Sequence, residues 1–239
     1  MLSSIIKSLD LVLFDQRCAH CREPAWEPLQ YALCKICRDA IPCNDGPKCP
    51  RCALPGENRL CKKCVNTRGG FDTLVSSMLY EGPASALVLR AKFRKEERAA
   101  QALADLTVQY LDRDALPKHI DALVPIPISF RRTMQRGFNQ SAIIANTLGA
   151  ALHVPVKNSL RRIIHRGPQS DLPLETRRIH VHGVFKAKHT LSGTICLVDD
   201  VATSTSTLLE AANVLRNAGA TRVVAITTTR CADGQDAKG

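Results

Sequence analysis

The residues best suited to chemistry form one stretch near the carboxyl-terminal end of the chain, residues 195–207. An apolar run opens the stretch, and two adjacent carboxylates, Asp199 and Asp200, follow it. Hydroxyl side chains come next, at Thr203, Ser204, Thr205, Ser206 and Thr207. A helical pattern of apolar residues then covers 208–215. This order predicts a buried strand, a loop and the N-terminus of a helix.

A loop of this kind suits a phosphate group. A helix N-terminus presents unpaired backbone N–H groups and the positive end of the helix dipole. Asp199 and Asp200 are placed to accept hydrogen bonds from sugar hydroxyls or to bind a divalent metal through oxygen. Paired aspartates at a strand end also occur without function, and Thr and Ser are ordinary turn residues. The complete string, with its strand and helix, favours a binding site.

The stretch resembles the loop of type I phosphoribosyltransferases that binds phosphoribosyl pyrophosphate (PRPP). The resemblance implies that Asp199 and Asp200 hold the ribose hydroxyls, with Mg2+ present, and that 203–207 cradles the 5′-phosphate. That family usually has glycine where this chain has Thr205. Because a β-branched residue resists a positive φ and a close backbone approach, we expect Thr205 to disturb the loop.

A second candidate anion site follows a predicted strand at 121–128, which ends in Pro-Ile-Pro. It contains Arg131, Arg132 and Arg136, followed by a helix start at 138–141. Arginine suits a diphosphate because its planar guanidinium binds phosphate oxygens in bidentate fashion. The alternative is an ordinary basic surface turn. The resemblance to the same enzymes implies that these arginines belong to the loop that holds pyrophosphate.

Eight of the eleven cysteines form four Cys-x-x-Cys pairs close to the amino terminus. The pairs are Cys18 with Cys21, Cys34 with Cys37, Cys49 with Cys52, and Cys61 with Cys64. Two such pairs supply four thiolates to one tetrahedral zinc ion, so the spacing predicts a double zinc ribbon with two structural zinc ions. We expect successive pairs to share a site, with an interleaved arrangement as the alternative. A disulfide framework or a redox motif fits four successive pairs less well.

The composition limits the classes of possible binding partner but does not select one of them. The net charge of +11, from 33 basic and 22 acidic side chains, suits nucleic acid or a phosphorylated small molecule. Aromatic residues make up only 4%, so a platform for stacking single-stranded bases is thinly supplied. No apolar run reaches the roughly 18 residues of a membrane helix. Residues 1–14 resemble a short amphipathic helix without a cleavage site, so we expect a cytoplasmic protein.

Strands are predicted to alternate with helices after the cysteine-rich head. The strands fall at 73–79, 121–128, 195–198 and 221–229, and the helices at 84–111, 139–151 and 208–215. The pattern predicts an α/β fold, a mostly parallel sheet with helices on both faces. A break is expected near Phe93, and the basic residues of this first helix, Lys92 among them, are interpreted mainly as a solvated face. The polar segment 158–188 is interpreted as a mobile lid.

These elements divide the chain into three parts. We expect an N-terminal helix and double zinc ribbon at 1–68, a phosphoribosyltransferase-like domain at 69–232, and a disordered polar tail at 233–239. Motifs for other nucleotide enzymes are missing: the sequence has no P-loop, no Gly-x-Gly-x-x-Gly and no Gly-x-Ser-x-Gly elbow.

The combined pattern closely resembles the ComF family over residues 10–231. The resemblance is carried by the cysteine pairs, the Pro-Ile-Pro segment with Arg131 and Arg132, the string Arg-Gly-Phe-Asn-Gln at 136–140, and the Asp-Asp loop. It departs at Thr205 and at His180, where relatives often carry Asn. The family implies a type I phosphoribosyltransferase fold behind a zinc ribbon, and a role in competence with a helicase-like partner.

Two functions remain open at this stage. The favoured hypothesis is a DNA-uptake protein that handles incoming single-stranded DNA and keeps a PRPP pocket. The alternative is an active phosphoribosyltransferase, which transfers ribose 5-phosphate from PRPP to an unidentified acceptor and releases pyrophosphate.

Overall fold

The protein is described from a computed structural model at residues 17–24, 30–163 and 183–232. The expected N-terminal helix at 1–14, the middle of the expected lid, His180 and the tail at 233–239 lie outside these residues. No helix among the described residues has the length and apolar character needed to cross a membrane.

A four-stranded parallel sheet forms the centre of the described fold. Its strands are β1 (Thr73–Leu79), β2 (Ala122–Pro125), β5 (Thr194–Ala202) and β6 (Arg222–Arg230), and a separate antiparallel pair consists of β3 (Leu160–Arg162) and β4 (Phe185–Ala187). The helices are α1 (Lys35–Asp39), α2 (Lys62–Val65), α3 (Gly82–Phe93), α4 (Glu97–Gln109), α5 (Phe130–Arg136), α6 (Gln140–Leu152) and α7 (Ser206–Asn217). The parallel strands lie in the order β1-β6-β5-β2. The predicted parallel α/β architecture is therefore confirmed.

Alternating side chains of β5 explain why helices cover both faces of the sheet. Ile195 and Leu197 belong to one apolar cluster, which also contains Leu208 of α7. Cys196 and Val198 belong to another, which also contains residues of α6. Because successive side chains of a strand point to opposite faces, a strand covered on both sides reads as one continuous apolar run.

The predicted helix at 84–111 is two helices, as its expected break near Phe93 requires. The chain leaves α3 after Phe93, passes Lys95 with a φ of 59°, and enters α4 at Glu97. Both helices pack into one cluster through Leu87 and Leu103, which are fully buried.

The cysteine-rich head covers the open edge of the sheet. Its backbone follows the edge strand β1, because Leu79 donates its N–H to Pro42 (2.8 Å) and Asn44 donates to Ser77 (3.1 Å). Pairing an exposed strand edge in this way removes a site for aggregation. The head and the sheet also share apolar clusters, so no gap separates the two parts at the predicted boundary near residue 68.

Candidate functional site

The acidic pair lies inside β5, which is longer than the sequence predicted. The strand was expected to end at Val198, and it continues through Asp199 and Asp200 to Ala202. In the sheet it lies between β2 and β6, and it pairs with both in parallel. In open parallel sheets, ligands bind in the crevice beyond the carboxyl ends of such strands. The two carboxylates therefore occupy the position expected of a ligand site.

Asp199 is held by two hydrogen bonds and titrates near neutrality. Its Oδ1 accepts from the Ser141 hydroxyl at the start of α6 (2.8 Å) and from the backbone N–H of Asp200 (3.0 Å). Burial, and then the charge of Asp200, raise the pKa of Asp199 to about 7, while Lys92 and the hydrogen bonds oppose the rise. A carboxyl group with such a pKa exchanges its proton readily at physiological pH.

Asp200 forms an ion pair with a lysine that the sequence did not single out. The Nζ of Lys92 lies 3.2 Å from Asp200 Oδ1, and the two side chains are only 20% and 10% exposed. The hydroxyls of Thr228 and Thr229 donate to the backbone carbonyl of Asp200. The interpretation of Lys92 as part of a solvated face is wrong. It lies one helical turn after the buried Val88, and that spacing was the available signal.

The hydroxyl loop, residues 203–207, leads into α7 through a residue in the left-handed region. Thr205 has φ 59° and ψ 3° and occupies the N-cap position of α7, but its side chain makes no capping hydrogen bond. Its hydroxyl donates to the Ser204 carbonyl (2.7 Å) and accepts from Lys63 Nζ (3.3 Å). The backbone N–H groups of the first turn are thus left uncapped by Thr205, as an anion site requires.

The conflict expected at Thr205 is present as strain. The backbone adopts the positive φ that glycine would favour, although the residue is β-branched. The left-handed conformation costs a non-glycine residue about 1–2 kcal/mol. We expected threonine to resist this conformation, and the surrounding structure imposes it.

The three arginines lie on a short helix, not in the irregular loop that the sequence suggested. The Ser129 hydroxyl accepts from the Arg132 N–H (3.3 Å) and caps α5, and Gly137 ends it with a φ of 85°. A capping serine and a left-handed glycine are preferred at the two ends of a helix and stabilise this one. Arg131 and Arg132 are exposed. Burial, and then Arg132, lower the pKa of Arg136, and the charge of Asp200 opposes this.

Gln140 connects these arginines to the helix that carries Lys92. Its amide donates to the Ala91 carbonyl of α3 (3.1 Å), and its carbonyl oxygen accepts from Arg136 (3.3 Å). Asn139 caps α6 by accepting from the Ser141 N–H (3.2 Å), and it donates to the Ile126 carbonyl (3.0 Å). The string at 136–140 therefore fixes the positions of two site elements relative to each other.

Arg162 of β3 is a further basic residue near the acidic pair, and it was not among the predicted binding residues. Burial, and then Arg132, lower its pKa, and the charge of Asp199 opposes this shift. Its guanidinium lies 5.5 Å from the centre of the Phe185 ring. Arg162 was noted only as part of a polar segment, because the pairing of β3 with β4 that positions it is a tertiary feature.

The eight paired cysteines form two clusters, and each cluster consists of successive pairs. The first cluster is Cys18, Cys21, Cys34 and Cys37, and the second cluster is Cys49, Cys52, Cys61 and Cys64. Within each, the four Sγ atoms lie within 4.8 Å of one another. The Sγ–Sγ distance is 3.9 Å for Cys21–Cys34 and 3.7 Å for Cys52–Cys61. Tetrahedral zinc with bonds of about 2.3 Å needs sulfur atoms about 3.8 Å apart, so the geometry fits.

The close approach of four thiols in each cluster also favours a bound cation. Burial and the neighbouring thiols raise the pKa values of Cys37 and Cys64. Burial also acts on Cys18 and Cys49, but backbone hydrogen bonds outweigh it and lower both pKa values to about 7. Four thiolates at these distances repel one another, and a divalent metal ion removes that repulsion.

Comparisons with known proteins identify relatives across most of the chain, although no protein-family model matches it. It is 31% identical over 217 residues to the DNA utilization protein YhgH of Salmonella typhi, which covers 86% of this chain and 93% of that protein. It is 29% identical over 216 residues to Competence protein F of Haemophilus influenzae, with the same coverage. Competence protein ComFC of Bacillus subtilis is 28% identical over 196 residues, covering 78% of this chain and 79% of ComFC.

Two solved structures with partial likeness are proteins named for phosphoribosyl chemistry. Adenine phosphoribosyltransferase of Leishmania tarentolae superposes with a TM-score of 0.35 and 12% identity, over 59% of this chain and 74% of that one. The glutamine PRPP amidotransferase of B. subtilis, complexed with ADP and GMP, gives a TM-score of 0.33 and 20% identity over 53% of this chain. The match spans about a quarter of the amidotransferase, 25% of its chain.

Proposed function

Because the chain belongs to the ComF family of competence and DNA-utilization proteins, we propose that it binds PRPP and handles single-stranded DNA during DNA uptake. A helicase-like protein is its proposed partner in that process. The PRPP part is supported by two features that lie together at the carboxyl end of β5. The acidic pair of β5, of which Asp200 is buried, ends three residues before the hydroxyl loop that opens α7.

The residues at this end of β5 suit the ribose, the 5′-phosphate and the pyrophosphate of PRPP. Asp199 and Asp200 would accept hydrogen bonds from the ribose hydroxyls, and the uncapped N–H groups at residues 206 and 207 would donate to the 5′-phosphate. Arg136 and Arg162 lie within electrostatic range of the acidic pair, where they would offset the charge of the pyrophosphate. Bound Mg2+ would supply further positive charge to the diphosphate, and the carboxylate oxygens suit it as ligands.

The two cysteine clusters are proposed to hold structural zinc ions. Each offers four thiolates and no open position, so neither has room for a substrate on the metal. Native mass spectrometry would test this by the number of zinc ions retained. Two ions per chain are expected, and none in wild-type protein prepared without chelator would contradict the assignment.

Calorimetric titration with PRPP, with and without Mg2+, tests the pocket. The wild type is expected to bind, and the double variant Asp199→Asn/Asp200→Asn is expected to lose Mg2+-dependent binding. The exposed pair Asp112→Asn/Asp114→Asn is the matched control, because it removes the same charge outside the site. A folded wild-type protein that binds no PRPP under either condition would overturn the proposal.

The DNA part of the proposal is supported by the surface of α5. This helix buries none of its residues, and Phe130 and Met134 are each 71% exposed beside Arg131 and Arg132. Exposed aromatic faces next to guanidinium groups suit single-stranded nucleic acid, which offers both bases and phosphates. An aromatic content of 4% had suggested that such a platform was thinly supplied, and one well-placed ring is sufficient for a short contact.

Fluorescence anisotropy with a labelled single strand tests this surface. The variant Phe130→Ala is expected to weaken binding to single strands, and Arg131→Gln/Arg132→Gln is expected to reduce its dependence on salt. Arg222→Gln is the control, because Arg222 is exposed at the amino end of β6, away from the candidate site. Equal effects of all three variants would show that α5 is not the surface that binds single strands.

An active phosphoribosyltransferase is the second candidate function, and one observation favours it. The guanidinium groups of Arg136 and Arg162 are near the carboxylates that would hold the ribose, so they would neutralise pyrophosphate as it leaves. Pyrophosphate release from PRPP, measured with nucleobases and with single-stranded DNA as acceptors, tests for turnover. Binding of PRPP without release under any of these conditions would leave the binding function alone.

A further inference from the structure

One buried arginine joins the second cysteine cluster to the strand that leads into the hydroxyl loop. Arg230, at the end of β6, is 4% exposed. Its Nε donates to the Cys52 carbonyl (2.9 Å), and its Nη1 donates to the carbonyls of Ala202 (2.8 Å) and Thr203 (2.9 Å). A single guanidinium group therefore holds a zinc-ligand residue and the start of the loop together.

The charge of Arg230 fits the loaded form of this cluster. Among the described residues its guanidinium forms no ion pair with a carboxylate, and its Nη2 is 3.9 Å from Cys52 Sγ. Burying a cation without a counter-ion is unfavourable. A zinc ion with four thiolates carries a net charge of about −2, and it would supply that counter-charge.

A lysine of the second cluster also reaches the loop. Lys63 lies between the ligands Cys61 and Cys64 on α2, and its Nζ is 3.3 Å from the Thr205 hydroxyl. Thr205 is the N-cap residue of α7, next to the N–H groups proposed to hold phosphate. Because Lys63 lies between two ligands of the cluster, the cluster fixes the backbone from which this side chain reaches the loop.

Among the residues that the structure describes, the first cluster makes no comparable connection to the hydroxyl loop. Cys18 and Cys37 pack into the cluster that contains Leu87 and Leu103. The described hydrogen bonds of the first cluster's cysteines stay within the head. The two clusters, although built from the same pair of motifs, therefore have different neighbours.

We infer that the second cysteine cluster forms part of the phosphate site: with its metal bound, it fixes the hydroxyl loop through Arg230 and provides Lys63 as a ligand for a sugar phosphate. The inference rests on the proposed function, because it places the 5′-phosphate of PRPP at this loop. Arg230 is a positioning residue, and Lys63 is a contact residue.

The contact is tested with Lys63→Met and the control Lys62→Met, a neighbouring exposed lysine on the same helix. Calorimetry with ribose 5-phosphate is expected to show an affinity about tenfold lower for Lys63→Met and unchanged for Lys62→Met. Binding of Mg2+ with pyrophosphate, which lacks the sugar phosphate, is expected to be the same in both. Equal affinities of the two variants for ribose 5-phosphate would overturn the contact.

The same titration separates this inference from the proposed function. A wild type that binds neither PRPP nor ribose 5-phosphate would overturn both. If wild type and Lys63→Met bind PRPP with equal affinity, the PRPP pocket is supported. Lys63 of the second cluster is then not part of it.

The coupling to metal is tested by removing one zinc ion at a time. Cys61→Ser acts on the second cluster and Cys34→Ser on the first, and native mass spectrometry would report which protein keeps one zinc ion. Hydrogen exchange of the amides at 203–207 is expected to accelerate in Cys61→Ser and to stay unchanged in Cys34→Ser. Since either variant can unfold its own ribbon, partial chelation of the wild type provides a second measurement. Unchanged exchange at 203–207 after loss of the second zinc would overturn the coupling.

Discussion

Lys92 forms an ion pair with Asp200 across the candidate site, with 3.2 Å between Nζ and Oδ1. The ammonium group of Lys92 is thus paired with one of the two carboxylates that are proposed to hold the ribose. It also lowers the pKa of Asp199, whose carboxyl group is otherwise forced toward the neutral form by burial and by Asp200. A cation in this position favours the ionised form of the acidic pair, although the pKa of Asp199 still lies at about 7.

Replacing Lys92 is therefore expected to shift the pH dependence of PRPP binding. In Lys92→Met the pKa of Asp199 rises further, so the pair keeps a proton at pH 7 and releases it only at higher pH. Calorimetric titrations at pH 7 and pH 9 are expected to show weak binding that recovers at the higher pH. Arg98→Met on the exposed face of α4 is the control. A loss of affinity that is the same at both pH values would show that Lys92 contacts the ligand only.

Asp199 is expected to lower the stability of the folded protein at neutral pH. Its pKa is raised from 3.8 to about 7 on folding, so between these values the native state binds a proton that the unfolded chain has lost. The free energy of unfolding falls as pH rises through this window and is constant above it. The variant Asp199→Asn cannot ionise, and its stability relative to wild type is expected to grow by on the order of 2 kcal/mol from pH 5 to pH 8.

Urea denaturation at these two pH values measures that difference. Asp114→Asn, an exposed position, is the control, and its stability relative to wild type is expected to be independent of pH. Zinc release at low pH affects all three proteins alike and cancels in the comparison. A constant difference between Asp199→Asn and wild type would mean that Asp199 is ionised in the folded protein at pH 5.

The positive φ of Thr205, 59°, allows its steric cost to be measured by comparing two substitutions. Thr205→Gly and Thr205→Ala both remove the hydroxyl group that contacts Lys63. Only alanine retains the steric cost of the left-handed conformation, so the glycine variant is expected to be more stable by about 1 kcal/mol. Chemical denaturation measures this. We also expect Thr205→Gly to bind PRPP more tightly than Thr205→Ala, and the reverse order would show that the loop changes conformation on binding.

Much of the fold was predictable because its elements carry local signals. The apolar run at 195–198 indicated a buried strand, and the two-residue spacing within each cysteine pair indicated metal ligands. The ends of elements were less predictable: β5 continues past Val198 because Asp199, Val201 and Ala202 pair with β6, and no local pattern reports that pairing. The helix α5 was missed because seven residues with no buried side chain give no apolar period.

The unpredicted parts of the candidate site come from contacts between distant elements. Lys92 and Arg162 look like ordinary surface charges in the sequence, and only packing brings them to the acidic pair. Arg230 ends a β-branched strand, and nothing local shows that its partners are carbonyls near the second cluster. The Asp-Asp loop was predictable from its residue types. A phosphate site of this kind needs a helix start directly after the loop, and both are adjacent in the sequence.

The string at 136–140 carries the last prediction, through Gln140. Its side chain is 2% exposed, and its amide donates to the Ala91 carbonyl while its oxygen accepts from Arg136. In Gln140→Leu both hydrogen bonds are lost, so the free energy of unfolding is expected to fall by about 1–3 kcal/mol. Because Arg136 loses its orientation, binding of Mg2+ with pyrophosphate is expected to weaken, while binding of ribose 5-phosphate at the hydroxyl loop, which Arg136 is not proposed to contact, is unchanged. Gln135→Leu, on the exposed face of α5, is the control. A uniform loss of affinity for both ligands would mean that Gln140 supports the fold as a whole and does not orient Arg136.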